Sequence, residues 1–187
     1  MSKPVLSLVL PCFNEAEHFT KSIDVIVSEL IKSQIPYEII FVEDKSNDTT
    51  KQIVEHFINT YPRLRLKTVY HKQNQGRGQS VIDGMRIAEG TYVGYMDIDC
   101  EISPRYITQF IQKLETGYEV VCAYRTYQIS ASGIIRAIAS KTYSLAVKIA
   151  LSSKLTDTEA GFKFFNLTKV NPIIKKIKNK SWFWDTE

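Results

Sequence analysis

Cysteine and histidine are scarce in this 187-residue chain, and what there is does not cluster. The three cysteines, Cys12, Cys100 and Cys122, are far apart and form no Cys-x-x-Cys pair. That pattern fits reduced thiols and excludes a disulfide framework or a cysteine-built zinc site. His18, His56 and His71 show no His-x-x-x-His spacing, so a histidine metal motif is excluded as well. No apolar run reaches the length of a membrane-spanning helix, about 20 residues. No secretory signal peptide is expected, because the first apolar run is short and Pro11 ends it. Linkers, internal repeats and low-complexity segments are also missing. What remains is a composition of 44% hydrophobic and 24% charged residues, ordinary for a globular protein with a real core. Residues 1–187 are therefore expected to form a single domain. The net charge of +4 is mildly basic and suits an anionic partner.

Hydrophobic periodicity predicts strands over residues 5–10, 37–42, 64–70 and 92–96. Helices are predicted between them: one from Asn14 as N-cap to Ser33, one capped by Asp48 or Thr49, and one ending at Gly90. The first hundred residues thus read β-α-β-α-β-α-β, which predicts a mostly parallel sheet with helices on both faces. Pro104 opens a further helix over 106–114, followed by a strand over 119–124 and a long helix over 133–152. A loop over 156–161 precedes a short strand over 162–165, and a basic helix or tail covers 169–180. The chain stops at Trp182-Phe183-Trp184-Asp185-Thr186-Glu187 with no closing element, so it is expected to be cut short of the whole domain.

The chemistry is expected at Met96-Asp97-Ile98-Asp99-Cys100-Glu101. In an extended backbone, Asp97, Asp99 and Glu101 would share one side. Three like charges there resist burial, and a hard divalent cation, Mg²⁺ or Mn²⁺, relieves the repulsion. In a parallel sheet, the carboxyl ends of the strands lie along one edge, where open α/β sheets bind ligands. Pro11 to Glu15, Glu43-Asp44, Asn74 to Gly78 and Asp97 to Glu101 would all meet there. Acceptor carboxylates, a glycine-containing loop and a metal-binding trio together suit a nucleotide diphosphate. A nucleotidyltransferase would want a basic glycine-rich loop directly after the first strand. A phosphatase with an Asp nucleophile would want its Asp pair there. The sequence has neither.

These segments, in this order, resemble the inverting family 2 glycosyltransferases of the GT-A fold. Asp157-Thr158-Glu159-Ala160-Gly161-Phe162-Lys163-Phe164-Phe165 and Trp184-Asp185-Thr186-Glu187 look like the polyprenyl-phosphate (dolichyl-phosphate) mannose or glucose synthase branch. The resemblance implies a GT-A type Rossmann-like α/β sandwich that moves a hexose from a nucleotide-diphosphate sugar, UDP-glucose or GDP-mannose in type, to a polyprenyl-phosphate lipid. It implies nucleoside contacts from Pro11, Asn14, Glu15, Glu43 and Asp44, with Asn74, Gly78 and Asp97 completing the nucleotide set. Glu43 departs from the family's usual Asp but keeps an acceptor. Metal ligands would be Asp97, Asp99 and Glu101, the last standing where relatives often have Gln. Arg125, with Asp97 and Asp99 in the catalytic set, would face the phosphates, as would Arg136 and Ser140, the latter pair at the acceptor phosphate. Asp185 or Glu187 would act as base if the acceptor were a hydroxyl in a cell-surface polysaccharide, which is one alternative. A sugar-nucleotide-binding domain without turnover is another. The implied location is the cytoplasm or the cytoplasmic face of a membrane. Nucleic acid is no expected partner, and the oligomeric state is left open.

Overall fold

The computed structural model describes residues 3–124 and 160–177. In chain order these form β1 (Leu6–Cys12), α1 (Phe19–Ser33), β2 (Tyr37–Glu43), α2 (Thr50–Thr60), β3 (Leu66–Tyr70), α3 (Arg77–Arg86) and β4 (Tyr92–Met96). A 3₁₀ turn (Pro104–Tyr106) then runs into α4 (Ile107–Glu115), followed by β5 (Val120–Cys122), β6 (Phe162–Asn166) and α5 (Leu167–Ile174). The strands make one six-stranded sheet in the order β3-β2-β1-β4-β6-β5. β1 to β4 are parallel, while β6 runs antiparallel to β4 and β5 antiparallel to β6.

The central strands are mostly apolar because each is covered on both faces, with Ser7, Glu38 and Glu43 as buried polar exceptions in β1 and β2. In β1, Leu6, Leu8, Leu10 and Cys12 point into one core, and Val9 into the other. In β2, Ile39 and Phe41 face the first core, and Ile40 and Val42 the second. The first core is closed by Phe19, Ile23, Ile26 and Leu30 of α1, Val54 and Phe57 of α2, and Ile107, Ile111 and Leu114 of α4. The second is closed by Val81, Ile82 and Met85 of α3 and by Leu167, Val170 and Ile174 of α5. The expected α/β sandwich, a mostly parallel sheet with helices on both faces, is the architecture observed.

The differences are local. α1 begins at Phe19, and Asn14 does not cap it. Asn14 is left-handed (φ 57°), a region Asn tolerates, and its side-chain oxygen accepts instead from Asn47 N at 2.8 Å. The third strand starts two residues later than expected, because Leu64 N bonds Tyr61 O in a turn at 3.0 Å. α3 starts at Arg77, so Gly78 is a buried first-turn residue and not part of the loop. The acidic trio is not extended: β4 ends at Met96, Cys100 N bonds Asp97 O at 3.3 Å, and Cys100 is left-handed (φ 55°). The expected 133–152 helix lies outside the described residues. So do Arg125, Arg136, Ser140, residues 156–159 and the tail carrying Asp185 and Glu187. Among the described residues, no helix is long and apolar enough to cross a membrane.

Candidate active site

The strand order reverses between β1 and β4, and that is where an α/β sheet opens a crevice at its carboxyl edge. β1 pairs with β2 along its full length, from Leu6 to Cys12, but with β4 only from Leu6 to Val9. Beyond Val9 the two strands part. The end of β1, with half-buried Pro11, and the loop that leaves it, with half-buried Glu15, line one side of the opening, and Asp97 and Asp99 leave β4 on the other.

The β1 loop is held by the loop that follows β2. Asn14 N donates to Ser46 Oγ (3.1 Å), Glu15 N to Thr50 Oγ1 (2.7 Å) and Ala16 N to Asp48 Oδ2 (3.1 Å). Asp48 Oδ1 also takes Thr50 N at the first residue of α2 (2.9 Å), while the N-cap residue, Thr49, makes no side-chain cap bond. Ser46, Asp48 and Thr50 are thus a scaffold for Glu15 as well as turn chemistry. Sequence reasoning missed this, because the partners lie more than thirty residues apart.

Asp44 is buried at the end of β2. Its Oδ1 accepts from Gln75 N and its Oδ2 from Gly76 N, at 2.7 and 2.8 Å. Gly76 precedes α3 with φ 87°, a conformation that favours glycine. The buried Glu43 turns its Oε1 to Ser46 N at 2.5 Å. Asn74 is exposed beside this loop.

Asp97 is held by a residue that the sequence reading did not select. Arg77, at the first position of α3, forks onto it: Nε to Oδ1 at 2.7 Å and Nη2 to Oδ2 at 3.2 Å. This is the bidentate, charge-assisted geometry that suits guanidinium and carboxylate. The Arg77 guanidinium also lies 5.3 Å from the ring centre of Tyr95. The signal in the sequence was a basic residue between the two glycines of Gly76-Arg77-Gly78. From the other side, Gly161 O accepts Asp97 N at 3.1 Å. A Cβ on Gly161 would fall 1.8 Å from Asp97 Oδ2, so that approach requires glycine.

The electrostatics tie the two sides of the crevice together. Burial raises the Glu15 carboxyl to about 7, helped by the negative charges of Asp99, Asp97 and Asp48 and opposed by His18. Asp97 is also raised, chiefly by burial, with Arg77 pulling it back and Asp99 and Glu101 pushing further. Asp99 is exposed, and its Oδ1 accepts from Glu101 N at 3.0 Å. The crevice therefore concentrates negative charge around Asp99, which suits a cation. The expected three-carboxylate cage is not formed, however. Among the described residues no three His, Cys, Asp or Glu side chains converge as a metal site. The turn after Met96 and the Arg77 fork on Asp97 are the physical reasons. Such a donor set fits a hard divalent ion held by one or two carboxylates together with substrate phosphates.

An α/β sheet with acidic groups and an anchored glycine loop at its switch point is the arrangement of a ligand-binding α/β enzyme, and the family match identifies it as a glycosyltransferase. The model of the family Glycosyl transferase family 2 matches residues 7–171, and the chain belongs to that family. It is 28% identical over 189 residues to the glycosyltransferase AglD of Haloferax volcanii, across 97% of this chain and 30% of that protein. It is 24% identical over 196 residues to the dolichyl-phosphate beta-glucosyltransferase of Dictyostelium discoideum, across 97% of this chain and 60% of that one. In structure it resembles the mannosyltransferase PcManGT of Pyrobaculum calidifontis in complex with GDP-Man and Mn²⁺. There the TM-score is 0.64 at 17% identity, covering 92% of this chain and 47% of that one, a likeness of fold. The chain spans between 30% and 60% of the length of the two curated relatives named.

Proposed function

We propose that this domain transfers a hexose from a nucleotide-diphosphate sugar, with inversion and with a divalent cation, to a polyprenyl phosphate. The observation that carries the reading is the placement of Glu15 on one side of the β1–β4 crevice and Asp97 and Asp99 on the other, near enough that the charges of Asp99 and Asp97 add to the burial that raises the Glu15 carboxyl to about 7. Pro11, Asn14 and Glu15 line the nucleoside end, with Asn74 beside it, and the buried Glu43 supports the loop after β2 through Ser46 N. Gly78 supports the loop from inside α3. Asp99, exposed and without an ion pair among the described residues, would hold Mg²⁺ or Mn²⁺ together with the donor diphosphate. When bound, the ion supplies charge neutralisation for the departing diphosphate. Glu101 contributes through its amide to Asp99 and is not needed as a ligand. Asp97 acts as the anchor for Arg77.

A lipid phosphate supports the acceptor assignment chemically. A phosphate monoester has its second pKa near about 6, so it is largely dianionic at neutral pH and attacks without a general base. Attack opposite the leaving group inverts the anomeric centre. Arg125, Arg136 and Ser140 are the residues we assign to the phosphates, because arginine forks match phosphate oxygens. The dolichyl-phosphate relative supports a polyprenyl acceptor and leans the donor towards a glucose nucleotide. Lys175 and Lys176 are exposed just after α5 and suit an anionic membrane surface at about 1 kcal/mol each, while Lys169 on α5 is paired with Glu119 at 3.2 Å. A saccharide hydroxyl acceptor would instead need a carboxylate base, for which Asp185 is the candidate.

The test is calorimetric titration of UDP and GDP, with and without Mn²⁺, into wild type, Asp99→Ala and Glu101→Ala. One nucleotide is expected to bind only with metal. Asp99→Ala should lose at least about tenfold in affinity, as expected for removal of a charged contact, while Glu101→Ala stays within about threefold. Failure of both nucleotides to bind folded wild type with Mn²⁺ would sink the reading.

A further inference from the structure

Buried against the nucleotide edge lies a histidine that the proposed chemistry does not use. His71 follows β3 and is 8% exposed. Its Nδ1 lies 2.7 Å from Asp44 Oδ1, and its Nε2 lies 3.2 Å from Asp83 Oδ2 on α3. Its backbone N donates to Glu43 O at 2.9 Å. Asp83 is itself gripped by Gln79 Nε2 at 2.6 Å and Arg86 Nη1 at 2.7 Å. The imidazole is thus wedged between the end of β2 and the body of α3.

The consequence runs through Asp44. A carboxylate has about four lone-pair positions. The protein fills three of them at Asp44, with the His71 ring, Gln75 N and Gly76 N. Asp44 N is tied as well, to Cys12 O at 2.9 Å. An acidic residue so buried and so fully engaged is poorly placed to receive a nucleoside and well placed to shape a loop. Because Asp44 Oδ1 is an acceptor only, Nδ1 must carry the proton of the 2.7 Å contact. That N–H fixes the rotation of the Asp44 carboxylate, and the carboxylate in turn fixes the direction of two successive amides just before Arg77.

We infer that His71 is a positioning residue for the donor nucleotide: through Asp44 it sets the Gln75–Gly76 backbone and hence the place of Arg77 at the start of α3. The inference rests on the reading of this edge as the donor site. It assigns Asp44 to loop support, where the family resemblance had placed it in contact with the nucleoside.

Side-chain geometry supplies the test. Asn at position 71 places an amide nitrogen where Nδ1 stands and can still donate to Asp44. Gln reaches the Nε2 position, towards Asp83, and cannot serve both. His71→Ala, His71→Gln and His71→Asn would be compared by amide hydrogen exchange at Gln75 and Gly76 in nucleotide-free protein. In His71→Ala and His71→Gln these two amides are expected to exchange about tenfold faster, the scale of a lost hydrogen bond to a charged group. In His71→Asn they should stay within about threefold of wild type, and β1 amides should not change in any variant. Affinity for the nucleotide should fall in the same order, as a rise in KM with kcat retained at saturating donor. Unchanged exchange in His71→Ala would overturn the proposal, and so would His71→Asn losing as much as His71→Gln. Faster exchange with unaltered nucleotide affinity would overturn the link to the donor. If His71→Ala does not fold, the Gln and Asn pair decides. Should wild type bind no nucleotide at all, the donor-site reading itself fails, and the exchange data still settle whether His71 orders the loop.

Discussion

Glu15 is the residue whose environment differs most sharply from what its sequence neighbours suggest. It sits in a polar loop, yet burial and the nearby Asp99 lift its carboxyl to about 7 from an ordinary 4.5. The sign of the consequence is fixed. In the unfolded chain Glu15 loses its proton near 4.5, whereas the folded protein keeps it until about 7. Folding thus binds a proton between these values, and this residue's contribution to stability falls as pH rises across them. Below 4.5 the residue makes no difference; above 7 it costs its full amount, about 1 kcal/mol once solvent screening of a half-exposed group is allowed for. Glu15→Gln removes the titration. In chelated, nucleotide-free protein the variant is expected to melt with wild type at pH 4.5 and a few degrees above it at pH 8. A stability gap that does not widen with pH would show that Glu15 is not under electrostatic strain. Asp97 answers the same pressure differently. It is also raised by burial, but Arg77 at 2.7 Å offsets part of the shift.

At the scale of elements, the antiparallel β6 shapes the site as much as the parallel strands do. Its register sets Met96 opposite Phe162, so that Gly161 falls beside Asp97. There Gly161 O takes Asp97 N, and its bare Cα leaves room for the Asp97 carboxylate. Gly161→Ala puts a methyl 1.8 Å from Asp97 Oδ2 and 3.2 Å from Arg77 Nη2, and must dislodge the fork. Overpacking of this kind costs about 1–3 kcal/mol. We expect a melting point lower by a few degrees and nucleotide affinity lower by at least about tenfold. Gly117→Ala is the control. It adds strain at φ +102° with nothing within 4 Å, far along the chain from the crevice, and should cost stability alone. Equal loss of affinity in both variants would remove Gly161 from the site. This element also marks where sequence reading stopped. The strands and helices were legible because an apolar stripe is a local property, and Val9 and Leu10 declare opposite faces by adjacency alone. The convergence of Glu15 with Asp97 and Asp99 was legible because parallel order puts all carboxyl ends on one edge. The Arg77 fork, the Gly161 approach and the zipping of Asn14–Ala16 to Ser46, Asp48 and Thr50 were not. Each depends on how two loops meet in space. The turn after Met96 likewise broke the alternation that an extended Asp97-x-Asp99-x-Glu101 would have needed.

Across the whole molecule, the two edges of the sheet carry opposite kinds of polar cluster, which separates stability from binding. At the amino edge Glu38 is fully buried, and its Oε1 accepts from Ser7 Oγ (2.6 Å) and Glu89 N (2.8 Å). Its Oε2 faces Arg65 Nε at 3.3 Å and Lys67 Nζ at 3.0 Å. Ser7 Oγ in turn takes Gly90 N at 2.8 Å, and Glu89 pairs with both Arg65 and Lys67. One carboxylate thereby joins β1, β2, β3 and the turn that leads into β4, and its charge is matched within the cluster. Among the described residues the acidic groups at the carboxyl edge outnumber their partners, and Glu15 registers their charge in addition to its burial. Glu38→Ala leaves the Ser7 hydroxyl and the Glu89 amide without their acceptor and leaves Arg65 and Lys67 with Glu89 as their carboxylate, and removing one partner of a buried pair costs about 3–5 kcal/mol. For a chain of this size that is a fall in melting temperature of about 10 °C. Below its transition the variant is expected to bind the same nucleotide within about twofold of wild type, because the lost contacts lie a strand's length from the crevice. Thermal unfolding and calorimetry on one preparation read both quantities. A loss of affinity in proportion to the loss of stability would mean that the amino edge holds the crevice in shape, and that the sheet carries strain from one edge to the other.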